Sequence, residues 1–179
     1  MNSHRLNITA LAALVGGAVY FVLGAIHATH GDFGGTHNTI DSTAEYIVTG
    51  GFAVALFLTA PAYRVIGELA QSRAGVVAMV PQLVVGAMCV VSVINGEDPA
   101  FFNAVAPVCI LTWLVASIVL AVKLRRLGTV PPRFAIALPL LVIVTLGLSP
   151  IGGPLLTGAF WMAVAAHVLR ERAPQPVAA

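Results

Sequence analysis

Charge is the scarcest ingredient of this sequence. Only 9% of its 179 residues are Asp, Glu, Lys or Arg, against 59% hydrophobic residues. A soluble domain carries roughly 25% charged residues, so both a water-soluble bundle and a disordered chain are excluded. Cysteine is limited to Cys89 and Cys109, with no CxxC pair. That leaves no redox motif, and the two thiols read as small buried hydrophobes. No DDxxD-type run is present, which argues against magnesium-assisted ionisation of a diphosphate. No lysine lies mid-span, so a retinal Schiff base is excluded. His27 and His167 lie at different depths, which argues against a shared haem. A basic patch facing water is also lacking, and with it the footprint of a nucleic-acid partner.

Long apolar runs are abundant instead. About 20 such residues, at 1.5 Å each, cross a ~30 Å hydrocarbon layer. Six spans are expected over 6–29, 43–63, 76–95, 101–123, 134–149 and 152–169, within one domain over 1–179. The first is read as a retained helix, being too long for the apolar region of a cleavable signal. Breaks between spans have local causes. Gly31, Gly34 and Gly35 open one loop, Gln71-Ser72-Arg73 and Gly75 mark the next, and Gly96-Glu97-Asp98-Pro99 makes a polar turn. Pro131-Pro132 stops the fourth helix, because proline lacks the amide donor and clashes with the preceding turn. The fifth span carries Pro139 and is the shortest, so it crosses by tilting or by local thinning of the bilayer.

Orientation follows from the basic residues. Arg5, Arg64, Arg73, Lys123, Arg125, Arg126, Arg133, Arg170 and Arg172 all fall on one side if there are six crossings. Lys and Arg in short loops mark the cytoplasmic face. The fold expected is therefore an all-α polytopic membrane bundle in the cell membrane, with both ends inside. Asp32, Asp41, Glu45, Glu97 and Asp98 land on the opposite face. Small residues such as Ala13, Gly17, Gly24, Gly50, Gly51, Gly86 and Gly158 are positioned to let helices approach closely in lipid.

The candidate chemistry clusters at the first outer loop. His27, His30, Asp32, His37, Asp41 and Glu45 lie within a short stretch, with Asn38 among them. His27 and His30 share a helix face, as do Asp41 and Glu45. One reading is a metal held by His27, His30 and an Asp or Glu, although the spacing matches no recognised motif and no cofactor is expected. A second is acid–base chemistry, with Glu45 or Asp41 as the acid and His27 or His30 orienting it. A carboxylic acid in an apolar pocket has its pKa raised and donates a proton more readily. A plainer reading also exists. Ser42-Thr43-Ala44-Glu45 has the form of a capping box, and Asp32, His37, Asn38, Glu97 and Asp98 fit a solvated loop and turn. Asn95 and Asn103 flank the next outer turn, either as helix caps or as pocket walls. With Phe102, Trp113 and Trp161 they are the residues expected to bind substrate. Thr112, Ser117, Thr145 and Thr157 lie deeper, where they bond their own backbone or a neighbour.

In size, helix-only build and acids near helix ends, the chain resembles the small integral-membrane terpene cyclases. That resemblance implies protonation of an isoprenoid olefin or epoxide, and a lipid or isoprenoid-like small molecule as partner. Two other readings stand beside it. A small-lipophile transporter needs only an apolar pathway, and the mid-membrane lack of charge argues against an ion relay. A scaffold subunit of a homo-oligomer or larger membrane complex needs no site at all.

Overall fold

In the computed structural model, residues 3–30 and 39–170 are described, apart from the side chains of Ser3, His30 and Pro150. They form helices α1 (Ser3–His30), α2 (Thr43–Leu69), α3 (Ala74–Asn95), α4 (Phe102–Leu127), α5 (Pro132–Gly147) and α6 (Gly153–Arg170), with one 3₁₀ turn at Ser149–Ile151. Four stretches are long and apolar enough to cross a membrane: His4–Thr29, Thr43–Leu69, Ala74–Asn95 and Phe102–Leu127. α5 has 16 residues, about 24 Å at 1.5 Å each. It is the shortest of the six, as the sequence led one to expect.

Helix boundaries follow local chemistry. Gly96, Gly128 and Gly152 end their elements at φ 74, 64 and 91, a left-handed conformation that costs glycine little. Pro132 begins α5 rather than merely ending α4, since the first turn of a helix has no use for the missing amide. Two helices outrun the expected bounds. α2 continues past Arg64 to Leu69, where Glu68 pairs with Arg64 at 3.6 Å one turn away and with Arg5 of α1 at 3.4 Å. α4 likewise carries its polar end through Arg125 and Arg126. A basic residue had marked the membrane edge, but a helix is free to run on into the headgroup layer.

Each helix packs on its neighbours in sequence, and α6 returns to α1, closing a ring. α1 and α6 approach most closely through small residues. A Cβ on Gly17 would lie 3.0 Å from the carbonyl oxygen of Gly158, and one on Gly24 would lie 2.6 Å from the Cα of Leu155. α2 and α3 meet likewise at Gly67 and Gly75, where a Cβ on Gly67 would come 2.7 Å from the Cα of Gly75. Close packing of small residues is what holds helices together where the surroundings are lipid and offer no hydrophobic drive. The outward face is apolar along its length, with Ile8, Leu11, Val15, Val108, Leu111 and Val115 all exposed.

The core centres on Tyr63 of α2, fully buried between Trp113 of α4, at 6.0 Å between ring centroids, and Trp161 of α6, at 5.5 Å. Edge-on aromatic packing of this kind is favoured by the ring quadrupoles. Between α5 and α6, Thr145 gives its hydrogen to the Leu141 carbonyl at 2.6 Å. Thr157, 2.6 Å away, is therefore the donor in the Thr145–Thr157 pair. Cys89 and Cys109 are unbonded.

Candidate functional site

The bundle has a basic end and an acidic end. Arg5 with Glu68, and a cavity lined jointly by Leu6, Leu69, Pro131 and Val168, place the start of α1, the end of α2, the α4–α5 connection and the end of α6 together. The sequence-expected catalytic residues lie at the other end.

There the polar groups are occupied with structure. Ser42 is the N-cap of α2, accepting the Glu45 amide at 3.2 Å. Oε2 of Glu45 accepts the Ser42 amide at 3.0 Å and the Asp41 amide at 2.7 Å. The capping box is thus complete, and the carboxylate expected to act as an acid holds two backbone donors. Asp41 is exposed and accepts a hydrogen bond from the Thr39 hydroxyl at 3.2 Å. The same segment is tied to the α3–α4 turn, where the Ile40 amide donates to the Gly96 carbonyl at 2.8 Å.

His27 is 8% exposed. Its Nδ1 lies 3.1 Å from the Leu23 carbonyl oxygen, which accepts a hydrogen bond when that nitrogen carries the proton. Leu23 packs where a side chain on Gly51 would sit, and Tyr20 meets Phe52 edge-on at 5.6 Å. With α1 and α2 antiparallel, His27 reaches the level of about residue 47, roughly 3 Å along the axis from Glu45. His27, Asp41 and Glu45 therefore share one end of two neighbouring helices. His30 closes α1, and its side chain lies outside the described residues, as do Asp32, His37 and Asn38. Among the described residues, no three His, Cys, Asp or Glu side chains come together as a metal would require.

Several expectations need correction. Asn95 and Asn103 are exposed and cap nothing: Gly96 ends α3, and Phe101 precedes α4 without a side-chain bond. A left-handed glycine ends a helix without help, so Asn95 stays inside it. Asp98 is more than solvated, because it accepts a 2.6 Å hydrogen bond from the fully buried Ser92 hydroxyl. Phe102 is half-buried beside this turn. Trp113 and Trp161 do not wall a pocket with Glu45. Both meet Tyr63, which lies 18 residues along α2 from Glu45, about 27 Å of helix. Trp113 and Trp161 stand near the middle of α4 and α6, around Tyr63, rather than beside the start of α2.

The cavity at the basic end holds about 510 Å³, within the range of small-molecule sites. It opens between α1, α2, α6 and the α4–α5 connection. Aliphatic side chains make most of its wall, Trp161 and Phe134 add aromatic surface, and Thr9, Thr129 and His167 supply polar groups. Phe134 stacks on Phe160 at 5.5 Å, and Phe160 meets Trp161 edge-on at 5.4 Å. Among the described residues, no Asp or Glu lines it.

Behind Trp161, Tyr63 brings its hydroxyl toward the indole nitrogen of Trp113 and the hydroxyl of Ser117. None of these three atoms completes a well-formed hydrogen bond, nor do the Tyr20 hydroxyl and the Gln82 Oε1. A buried polar group without a partner costs about 1–3 kcal/mol. A polar atom brought among Tyr63, Trp113 and Ser117 would meet donors and acceptors whose desolvation has already been met by folding. Sequence reading placed Trp113 and Ser117 singly. It had no signal for Tyr63, a residue whose role depends on three helices meeting.

No known family pattern, characterised protein or solved structure matches the chain, so the site rests on its own chemistry.

Proposed function

We propose that the protein is a six-span membrane protein, both ends cytoplasmic, that binds a lipophilic small molecule through the cavity at its basic end. Binding with release across or along the bilayer, as in a small-lipophile carrier, is the activity this favours. The observation that carries the proposal is the cavity itself: about 510 Å³, mostly apolar, aromatic on one side and, among the described residues, free of carboxylates. The basic residues at that end support the orientation, since Lys and Arg near helix ends mark the cytoplasmic side. Inside a bilayer an apolar wall gains little by taking an apolar ligand, because lipid tails are equally apolar. Selection must come from shape, aromatic faces and the few polar groups. The ligand class is therefore a lipophile with one polar end, its chain along Trp161 and Phe134 and its polar end near Thr9, Thr129 or His167.

The full chain purified in mild detergent should retain such a molecule by native mass spectrometry. Replacing Val164 with Trp should fill the cavity and release it. Equal retention by V164W would count against the cavity. In W113F protein Trp161 is the single tryptophan, and its emission should shift as an isoprenoid alcohol is added.

A second reading is acid-initiated isoprenoid chemistry at the acidic end, of the membrane terpene-cyclase type. The buried His27 beside the start of α2 favours it. Asp41, not Glu45, is then the better acid, because Glu45 is held by two amides. Product formation from an isoprenoid epoxide that survives D41N unchanged would remove this reading.

A further inference from the structure

A separate groove runs down the outside of the bundle between α3 and α4. It holds about 750 Å³ and opens broadly to the surroundings. Ala74 and Ala116 contribute little side chain there, which leaves room between the two helices. Val77, Val115 and Val119 line it, all of them exposed. At its basic end stand two cations, Arg73 at the α2–α3 turn and Lys123 near the end of α4.

The charge pattern is one-sided. Among the described residues, no Asp or Glu lines the groove. Glu68, the acid used in the ion pairs at this end, is shared between Arg5 and Arg64. Among the described residues, Arg73 and Lys123 have no carboxylate partner. Both are exposed, so their stems can lie along apolar surface while the charged heads stay at headgroup level. An apolar channel ending in two cations complements a molecule with a hydrocarbon tail and an anionic head.

We propose that this groove is a binding site for an anionic phospholipid of the cytoplasmic leaflet, with an acyl chain against Val77, Val115 and Val119 and the phosphate on Arg73 and Lys123. Basic pockets between membrane helices on the cytoplasmic side recognise such headgroups. The site rests on the membrane reading and its orientation but not on the cavity beside Trp161, which lies on another face and lacks this pair of cations.

The test uses the full chain in mild detergent, with phosphatidylglycerol and phosphatidylcholine of matched acyl chains supplied in equal amounts. Native mass spectrometry should show phosphatidylglycerol retained in preference, by roughly five-fold for each cation engaged. The double variant R73Q/K123Q should lose that preference. R125Q/R126Q, which removes the same charge from the same end without touching the groove, should keep it. Lack of preference in the unaltered protein would overturn the proposal. So would equal loss in both double variants, which would indicate a general surface attraction. Displacement of the lipid by glycerol phosphate at the same concentration would also overturn it, since the headgroup alone would then account for binding. V164W should leave this preference intact, separating failure here from failure of the cavity.

Discussion

The two ends of the bundle spend their polar residues differently. At the acidic end Ser42, Glu45, Asp41, Ser92 and Asp98 are used on backbone amides and on each other, and the Ile40 amide ties two loops together. At the basic end polar side chains stand at openings: His167 and Thr9 at a cavity, Arg73 and Lys123 at a groove. Most of the sequence's acid and histidine content had pointed to the first end. Of the described ionisable residues there, Glu45 and Asp98 are taken up by a helix start and a tight turn. The acidic end is built for fixity, the basic end for access.

That contrast can be broken most severely at the seam both ends share. A Cβ on Gly24 would press into the α6 backbone at Leu155, so Gly24→Val should cost about 3 kcal/mol or more by overpacking. Thermal unfolding in detergent should show it as a large drop in Tm. At the acidic end, Ser92→Ala removes the buried donor to Asp98 and should cost about 1–3 kcal/mol. Ser42→Ala removes the cap of α2 and should cost about 1 kcal/mol. Ligand retention at the basic end should survive both, once protein that has unfolded is discounted. The smallest effect on stability belongs to Val164→Trp. Its Tm should stay within about 0.5 kcal/mol equivalent of the parent if the cavity has room for the indole, while retention of the lipophile disappears. A large loss of stability in V164W with ligand still bound would reverse the assignment of fixity and access.

Much of the scaffold was readable because its causes are local. Gly96 and Gly152 end elements through their own conformational freedom, and Ser42 with Glu45 closes a box four residues long. The shortness of α5 followed from counting apolar residues before Ser149. The arrangement of side chains across helices was not readable in the same way. Tyr63, Trp113 and Trp161 come from three helices, and nothing in their spacing along the chain says that their rings meet. Arg64 misled for a related reason: its charge suggested an end to the second helix, but α2 runs on to Leu69 and Arg64 pairs with Glu68 one turn further along. Gln71, at φ 49 in the α2–α3 turn, is a non-glycine in the left-handed region, which only the folded loop reveals. Asp98 looked like any acid in a polar turn until Ser92, six residues earlier, turned out to face it.

The ring closure of α6 on α1 carries a consequence for synthesis. The face of α1 bearing Gly17 and Gly24 is shaped for Gly158 and Leu155, which follow more than a hundred residues later. At a typical elongation rate of 5–20 residues per second, α1 stays without that partner for roughly seven to thirty seconds. For a chain inserted in a membrane, as proposed, that small-residue face would rest against lipid or an insertion factor through the interval. A chain halted after α5 would thus present the same unsealed face, with Gly17 and Gly24 uncovered.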